Sequence, residues 1–402
     1  MMVMRKTESH NYRVARTGTA RAINRRIVLN LIRKHQPVSR ADLARFSGLQ
    51  RSTVSAITEQ LIAERWVTRG ASGNLPRGRK PIFIHLNSDR AGIVGIDLRP
   101  IMSTVALARL DASFFAHATI PTKGTADHFV AQLCRRVQGL IKAYPGICFE
   151  GIGVSLPGRV DSRSRKLVFA PNLPWNELEL KQPLERATGL PVELENAANA
   201  CALAEIFCEP HTDIVRDLMV VTVSEGIGVG MVFNGQLARG ASGLAGEFGH
   251  VPVVEDGVPC RCGNRGCWEA YASTMATVKY YEQSLGKKTA DQNGGQTSFG
   301  DIIARAKEGD VKAGEALRHM AHYLGVGMAM LVSGCAPEAI VVVGSVTEVW
   351  DRIEPVIRDA MARRCSQLKL PQILPTDSAA QPRLRGAIAL VLQKHFNVPQ
   401  IP

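Results

Sequence analysis

Three cysteines and one histidine constrain this chain more than any other part of its sequence. The cysteines form a C-x-C-x4-C pattern, and the histidine precedes the first of them. Three thiolates and one imidazole are the ligand set of structural zinc sites, which are tetrahedral and closed. Glycines between the thiols allow the tight turns that converging sulfurs require. The pattern therefore predicts a structural Zn²⁺ site, in preference to ordinary buried cysteines, with the ligands His250, Cys260, Cys262 and Cys267.

Length and composition favour a multidomain intracellular protein. The chain has 402 residues, too many for one compact core, and 45% of them are hydrophobic, as in ordinary globular proteins. No apolar run approaches the length of a membrane span, and the basic N-terminus lacks a hydrophobic signal core. We therefore expect a cytoplasmic protein without membrane insertion. The cysteines outside the cluster are scattered among apolar neighbours, which predicts free thiols in a reducing compartment.

Positive charge is concentrated at one end of the chain. The formal net charge is +13, and residues 1–90 contain 18 Lys and Arg against 5 Asp and Glu. The remainder of the chain is therefore balanced. Such an asymmetry predicts a module that binds a polyanion, joined to a neutral body.

The basic segment has the pattern of a helix-turn-helix module. Residues 1–20 show little apolar periodicity and are predicted to form a mobile basic arm. An amphipathic helix follows from Ile23. Ser39 then opens a short second helix with an S-x-x-D capping box, Gly48 marks a turn, and Gln50 starts a third helix. Helix, short helix, turn and helix in this order is typical of DNA-binding modules.

The third helix and a later loop supply the candidate DNA contacts. Mostly short hydrogen-bonding side chains cluster at the N-terminal end of the helix, where a recognition helix meets bases and phosphates. They are Gln50, Arg51, Ser52, Thr53 and Ser55. Short strands predicted at 66–68 and 81–84 flank a cationic loop, which favours a winged helix over a packing module with a solvated loop. The wing would reach phosphates or the minor groove with Arg77, Arg79 and Lys80.

The rest of the chain is predicted to be α/β, with two lobes and a cleft between them. Strand and helix patterns alternate. Predicted strands lie at 92–98, 103–108, 114–120, 151–155, 218–223, 228–233 and 339–343. Predicted helices lie at 126–143, 270–285, 299–307, 311–333 and 346–364.

Several motifs in this body resemble the ROK family of repressors, open reading frames and sugar kinases, in its winged-helix repressor branch of NagC/Mlc type. The most specific is A-G-E-F-G-H at 245–250 with the cysteine cluster. Supporting motifs are G-V-S-L-P-G at 153–158, E-N-A-A-N at 195–199 and G-I-G-V-G at 226–230. The resemblance implies an actin-like, two-lobed sugar-kinase fold after the winged helix, and zinc held by the four residues of the cluster.

The resemblance also implies a domain division and a sugar site. The winged helix-turn-helix domain would span residues 21–88. The first lobe would span 89–196, completed by about 383–402, and the second lobe, with the zinc loop, would span 197–382. Family sugar contacts map onto Asn196, Glu247, His250 and Glu269. Carboxylates accept sugar hydroxyls strongly, although Glu247 and Glu269 would also suit a role that only supports the metal ligands.

Two departures from the kinase pattern predict a regulator, not an enzyme. The kinase motif E-N-D-A-N has Ala197 in place of the aspartate, and alanine cannot act as a general base. The phosphate-binding motifs D-x-G-x-T and G-T-G read D-L-R-P-I at 97–101 and S-E-G at 224–226. Pro100 lacks an N–H for phosphate.

The sequence therefore predicts a transcriptional regulator, expected to be a repressor, that senses a sugar or sugar derivative and controls genes of sugar uptake and metabolism. We expect a homodimer or homotetramer on double-stranded operator DNA. Two alternatives stay open at this point. They are a sugar kinase of the ROK family and a repressor controlled by the protein domain of a transporter.

Overall fold

The computed structural model describes residues 17–72, 81–160, 167–170, 173–175, 178–208, 215–240, 243–286 and 297–396. The chain divides into two compact units. The first comprises residues 1–90 and 392–402, and the second comprises residues 91–391. No helix within the described ranges is long and apolar enough to cross a membrane.

Three helices and a three-stranded antiparallel sheet form the first unit between residues 17 and 86, as far as the structure describes them. The elements are α1 (Thr17–His35), β1 (Val38–Ser39), α2 (Arg40–Ser47), α3 (Arg51–Ala63), β2 (Val67–Ser72) and β3 (Ile82–Leu86). In the sheet, β3 lies between β1 and β2. The predicted helices and both predicted strands are present, with different ends.

The second helix begins and ends as its sequence predicts. Ser39 Oγ accepts a hydrogen bond from the Asp42 amide at 3.2 Å, and the Asp42 carboxylate accepts one from the Ser39 amide at 3.3 Å. This confirms the capping box. Gly48 ends the helix in the left-handed conformation, with φ of 69°, which glycine adopts without steric cost.

Helix α1 starts earlier than predicted, inside the proposed mobile arm of residues 1–20. It begins at Thr17, and residues 1–16 lie outside the described residues. Its first turns are held by polar contacts, since Arg21 Nη2 donates to Gln60 Oε1 on α3 at 3.3 Å. Apolar periodicity does not detect such contacts, so this part of the arm prediction was wrong.

The second unit begins with the elements β4 (Gly92–Asp97), β5 (Met102–Arg109), β6 (Phe114–Pro121), α4 (Ala126–Lys142), β7 (Phe149–Leu156), β8 (Arg159–Val160), β9 (Leu167–Phe169), α5 (Lys181–Thr188) and β10 (Val192–Asn196). Five of the strands form a mixed sheet, called the first sheet of this unit, in the order β10-β7-β4-β5-β6, and β8 and β9 form a small separate ribbon. Buried side chains of β4, β5, β7 and α4 form one core, which includes Ile96 and Phe129.

The elements that follow are α6 (Ala197–Cys208), β11 (Leu218–Val223), β12 (Ile227–Phe233), β13 (Gln236–Leu237), α7 (Glu269–Ala272), α8 (Thr274–Ser284), α9 (Phe299–Lys307), α10 (Val311–Cys335), β14 (Ala339–Val343), α11 (Trp350–Ala362), β15 (Gln372–Pro375) and α12 (Pro382–Phe396). Their strands form a second five-stranded sheet in the order β13-β12-β11-β14-β15. A larger core packs against this sheet and includes Trp268 and Leu324. Two α/β lobes are present, which confirms the predicted fold class.

One predicted helix is interrupted in the structure. The pattern at 270–285 predicted a single helix, but α7 ends at Ala272 and α8 begins at Thr274. Ser273 between them has an extended conformation, and its side chain accepts a hydrogen bond from the Ala276 amide at 3.1 Å. A serine in this position starts a new helix by capping it.

The last helix, α12, belongs to both units, because its residues from Leu392 onward fall in the first unit. Phe396 is only 1% exposed, and its ring meets that of Trp66 edge-on at 6.4 Å. His395 lies 4.7 Å from the same indole, and the Arg33 guanidinium lies 5.4 Å over Phe396. This differs from the predicted division, which ended the DNA-binding domain at residue 88 and assigned 383–402 to the first lobe.

Candidate metal centre and ligand-binding cleft

Four side chains of the second unit converge in a cluster suited to a metal ion. The ligand atoms of His250, Cys260, Cys262 and Cys267 all lie within 4.8 Å of one another. His250 Nδ1 is 3.7 Å from Cys260 Sγ, and the sulfurs of Cys262 and Cys267 are 3.7 Å apart. This compact set of one imidazole and three thiols fits a tetrahedral ion. The structure thus brings together every residue that the sequence predicted as a ligand.

Backbone hydrogen bonds between the cysteines place the sulfurs. The Cys260 amide donates to the Asn264 carbonyl at 2.8 Å, and the Gly263 amide donates to the Cys260 carbonyl at 3.1 Å. Gly266 has φ of 72°, and a Cβ there would lie 1.8 Å from the carbonyl oxygen of Val254. Only glycine permits both this conformation and this approach, so the spacing of the cluster depends on it.

Burial of the thiols favours their protonated form when no cation is bound. It raises the pKa of Cys267 to about 12, and the neighbouring thiols Cys262 and Cys260 add to the effect. Burial also raises the pKa of Cys260. Buried thiols stay protonated at neutral pH without a compensating charge, and a divalent cation binds them as thiolates with release of their protons.

The residue after the last cysteine anchors the cluster in the core. Trp268 is fully buried, and its indole N–H donates to the Tyr323 carbonyl of α10 at 2.8 Å. Its ring lies against Gly327, where a Cβ would be 1.9 Å from the indole. Glu269 follows at the start of α7, so core packing also fixes the position of this carboxylate.

Residues from both sheets of the second unit line a cavity of about 640 Å³, a size suited to a small-molecule ligand. The lining includes the four residues that the sequence predicted as sugar contacts, which are Asn196, Glu247, His250 and Glu269. We call this cavity the cleft.

The carboxylate of Glu269 is buried in the cleft wall and held by the backbone. Its Oε2 accepts a hydrogen bond from the Ile227 amide at 2.9 Å. Burial raises the pKa of Glu269, and the Ile227 N–H opposes the shift. The carboxylate can lie here only because residue 226 is a glycine. A Cβ on Gly226 would lie 2.2 Å from Oε2 of Glu269.

We therefore expect the substitution Gly226→Ala to weaken ligand binding while leaving the metal in place. The added methyl group displaces the Glu269 carboxylate from the Ile227 amide. Loss of a hydrogen bond to a charged group costs about 1.5–3 kcal/mol, which corresponds to a roughly 10- to 100-fold weaker sugar affinity by titration calorimetry. Gly139→Ala on α4, where a Cβ meets nothing within 4 Å, is the control. Unchanged affinity in the Gly226 variant would remove Glu269 from the ligand contacts.

The imidazole of His250 connects the metal cluster with the cleft. Its Nδ1 faces the Cys260 sulfur, whereas its Nε2 lies 3.7 Å from Glu247 Oε2. The same oxygen lies 3.9 Å from Arg159 Nε. A metal on Nδ1 would fix the direction of the ring and leave Nε2 to donate in the cleft.

Asn196 lies in the cleft, but its amide group is also bound to the backbone. Its Nδ2 donates to the Gly158 carbonyl at 2.6 Å, and its Oδ1 accepts from the Ala198 amide at 2.8 Å. The side chain therefore joins the β7–β8 turn to the start of α6. One N–H of Nδ2 remains for a ligand.

Comparison with known proteins places this geometry in a family. Residues 93–394 match the sequence model of the ROK family. The chain belongs to the ROK family. It is 32% identical over 391 residues to the xylose repressor of Bacillus subtilis (strain 168), a match that covers 93% of this chain and 96% of that protein.

Solved structures of ROK proteins share its fold. One is a ROK family transcriptional regulator described as a homologue of the E. coli MLC protein, with a TM-score of 0.77, 25% identity, and coverage of 94% of this chain and 98% of that chain. Another is a ROK family glucokinase from Streptomyces griseus, solved with glucose and AMPPNP. It has a TM-score of 0.66 and 30% identity, and covers 75% of this chain and 99% of its own.

The positions at which the sequence analysis predicted departures from the kinase motifs lie in or beside the cleft. Ala197 lines it at the start of α6. In the segment that corresponds to the first phosphate motif, Arg99 Nε donates to Asp97 Oδ2 at 2.6 Å, and Arg383 Nε lies 2.9 Å from Asp97 Oδ1. Arg383 also donates to the Leu98 carbonyl at 3.0 Å. Two arginines therefore contact Asp97, one on each carboxylate oxygen.

The candidate DNA contacts of this ROK protein lie at the start of α3, as far as the structure describes them. Gln50, Arg51 and Ser52 are exposed, whereas Thr53 and Ser55 are half-buried. Gln50 is the residue before the helix and Arg51 its first residue. The predicted wing contacts Arg77, Arg79 and Lys80 lie outside the described residues.

The structure adds two arginines, one in the cleft and one beside it, that the sequence analysis did not identify. Arg159 lines the cleft beside Glu247. Arg239 Nε donates to Glu195 Oε2 at 2.7 Å. Both pairs join residues far apart in sequence, so no local spacing could reveal them. The one available signal was the position of Glu195 next to Asn196 in the motif E-N-A-A-N.

Proposed function

We propose that this protein represses transcription by binding operator DNA and that a sugar bound in the cleft releases it. A sugar-responsive transcriptional repressor of the ROK family is the function that its similarity to the xylose repressor and to the Mlc-like regulator supports, since both matches extend over nearly the whole chain. The observation that carries the proposal is the convergence of the cleft carboxylates with the metal cluster through His250.

The first unit is proposed to bind DNA as a winged helix-turn-helix. The start of α3 presents Gln50, Arg51 and Ser52 to solvent, where a recognition helix contacts base edges. Thr53 and Ser55 would complete this face. Arg77, Arg79 and Lys80 are proposed to contact phosphates from the wing, which contributes affinity without sequence information.

The cleft is proposed to bind an aldose such as xylose. Glu247 and Glu269 would accept hydrogen bonds from sugar hydroxyls, and His250 and Asn196 would donate to them. Zn²⁺ is proposed as the ion of the cluster, because three thiols and one imidazole are its preferred structural set. Its contribution would be to hold His250 and the neighbouring carboxylates in place, without a redox role.

Catalysis is not part of the proposal. Ala197 has no group that could take a proton from a sugar hydroxyl. Asp97 is bound by Arg99 and Arg383 in the turn that would face a phosphate. Phosphoryl transfer also depends on positioning of the phosphates, and Pro100 in this turn has no N–H to offer them.

The active form is proposed to be a cytoplasmic homodimer or homotetramer, because two DNA-binding units related by symmetry match a palindromic operator. The oligomer would have two arrangements, one that binds DNA and one that does not. Sugar would act by binding more tightly to the arrangement that does not bind DNA. A difference of about 1–3 kcal/mol between the two arrangements is typical of such coupling. The competing hypothesis is that the protein domain of a transporter, and not a sugar, binds the second unit and controls the repressor.

The direct test is a duplex-binding titration at fixed salt, with and without sugar. Duplexes selected from a random pool by the purified protein serve as the operator, and D-xylose and D-glucose serve as probes. We expect tight binding of the selected duplex and a fall in affinity with at least one sugar. A protein that binds no duplex in dilute salt would overturn the proposal. Binding to duplex that ignores sugars but responds to a purified transporter domain would favour a protein signal.

Replacement of Arg51 by alanine should reduce the preference for the selected duplex over random DNA. A good contact between arginine and a base contributes about 1–3 kcal/mol of discrimination, so the preference should fall roughly 5- to 150-fold. Arg45→Ala on α2, also an exposed arginine, should change affinity for all duplexes alike. If Arg51→Ala kept the full preference, the assignment of α3 as recognition helix would fail.

A further inference from the structure

We propose that Arg239 is a positioning residue that holds the two walls of the cleft at the distance that sugar binding requires, through its ion pair with Glu195. The inference builds on the proposed sugar response of the same cleft. Neither residue is among the described residues that line the cleft. Any effect of the pair on ligand binding must therefore act through the groups that it holds.

Glu195 fixes the wall that belongs to the first sheet. It lies in β10, the edge strand of that sheet, and is 7% exposed. Its Oε1 accepts hydrogen bonds from the Asn196 amide and from Asn199 Nδ2, both at 3.1 Å, and its Oε2 accepts one from Arg239 Nε at 2.7 Å. The carboxylate is thus occupied on both oxygens, directly beside the candidate sugar contact Asn196.

Arg239 fixes the wall that belongs to the second sheet. It follows β13, the edge strand of that sheet. Its carbonyl accepts a hydrogen bond from the amide of Ala245, two residues before the candidate sugar contact Glu247, at 3.1 Å. Gly240 makes the turn with φ of 68°. Side chain and backbone of one residue therefore hold the two cleft segments that contain Asn196 and Glu247.

The geometry makes this pair more consequential than an ordinary surface ion pair. The Glu195 side chain is 10% exposed and the Arg239 side chain 39%, so the carboxylate depends on its partner for charge compensation. Removal of one partner of a buried pair leaves an uncompensated charge. Without the pair, the position of Asn196 relative to Glu247 would change, and one ligand could no longer contact both walls in the same way.

The metal cluster should be insensitive to this change. Its loop is held by the hydrogen bond of Trp268 to α10 and by backbone hydrogen bonds between the cysteines. Metal content thus separates a local change of cleft spacing from general unfolding of the second unit.

The test is calorimetric titration of the full-length protein with D-xylose and with D-glucose, using whichever binds the wild type. Arg239→Met should weaken sugar binding roughly tenfold or more, with metal content and affinity for the selected duplex unchanged. Glu195→Gln should have a similar effect. In the double variant Arg239→Met/Glu195→Gln the loss should be no greater than in Arg239→Met alone, because partners in one contact are not additive. Arg239→Lys, which keeps the charge, should restore part of the affinity.

Arg358→Met is the matched control, since Arg358 donates to Glu354 at 2.8 Å on α11. It should bind sugar like the wild type. Losses that multiply in the double variant, or an Arg239→Met protein with wild-type affinity, would overturn the inference. If Arg239→Met does not fold, equal sugar affinity of Arg239→Lys, Glu195→Gln and the wild type would overturn it. Failure of the wild type to bind either sugar would count against the proposed sugar response itself, which is a different result.

Discussion

Replacement of Cys262 by serine is expected to remove the metal and, with it, the response to sugar. The substitution takes one of the three sulfurs from the cluster, and a structural zinc site needs all four ligands. His250 would then lose the ion that directs its ring toward Glu247, so the cleft would lose a fixed donor. We expect less than one tenth of the wild-type metal content, and an operator affinity that no longer falls with sugar. Elemental analysis and duplex titration measure the two effects.

The control for this variant is Cys335→Ser, which changes a half-buried free thiol outside the cluster. It should retain metal and response. A Cys262→Ser protein that still bound one metal per chain would contradict the ligand set. A metal-free protein that still responded to sugar would separate the two sites, and would leave the cluster with a role in stability alone.

Phe396→Ala is expected to destabilise the first unit strongly, although residue 396 lies far in sequence from the rest of that unit. The ring is 1% exposed, packs edge-on against Trp66 and lies under the Arg33 guanidinium. Truncation of a buried phenylalanine costs about 3–5 kcal/mol, a large share of the stability of a small domain. Hydrogen exchange of the α1 amides should therefore accelerate, and duplex binding should weaken.

Phe46→Ala is the comparison in the same unit, because Phe46 is 45% exposed. Its effect on amide exchange should be small, within about 0.5 kcal/mol, as for most surface substitutions. Equal exchange rates in Phe396→Ala and the wild type would show that the end of α12 contributes nothing to the stability of the first unit.

Local patterns of sequence predicted those parts of the molecule that depend on local chemistry. The capping box of Ser39 and Asp42 and the turn at Gly48 formed as expected. The four ligands of the metal cluster converge because glycines and short spacings leave the loop few other conformations. Strands β11 and β14 and helix α9 have the predicted ends, since their apolar patterns are bounded by clear turn or capping residues.

Features that depend on tertiary contacts were not predicted. The pairing of Arg239 with Glu195 joins segments that meet only after both sheets have formed. Helix α1 extends to Thr17 through polar contacts with α3, such as that of Arg21 with Gln60. The capping role of Ser273 competes with an apolar pattern that continues past it. In each case the residue types were visible, but the partner that decides the conformation lies elsewhere.

The placement of Phe396 in the first unit means that this unit is discontinuous along the chain. No single cut in the gene separates it intact from the rest. A fragment ending at residue 90 would expose the Trp66 face that Phe396 covers, and a peptide that supplies residues 392–402 in trans should bind such a fragment. A fusion partner attached closely behind Phe396 would disturb the first unit, which is proposed to bind DNA, before it disturbed the cleft.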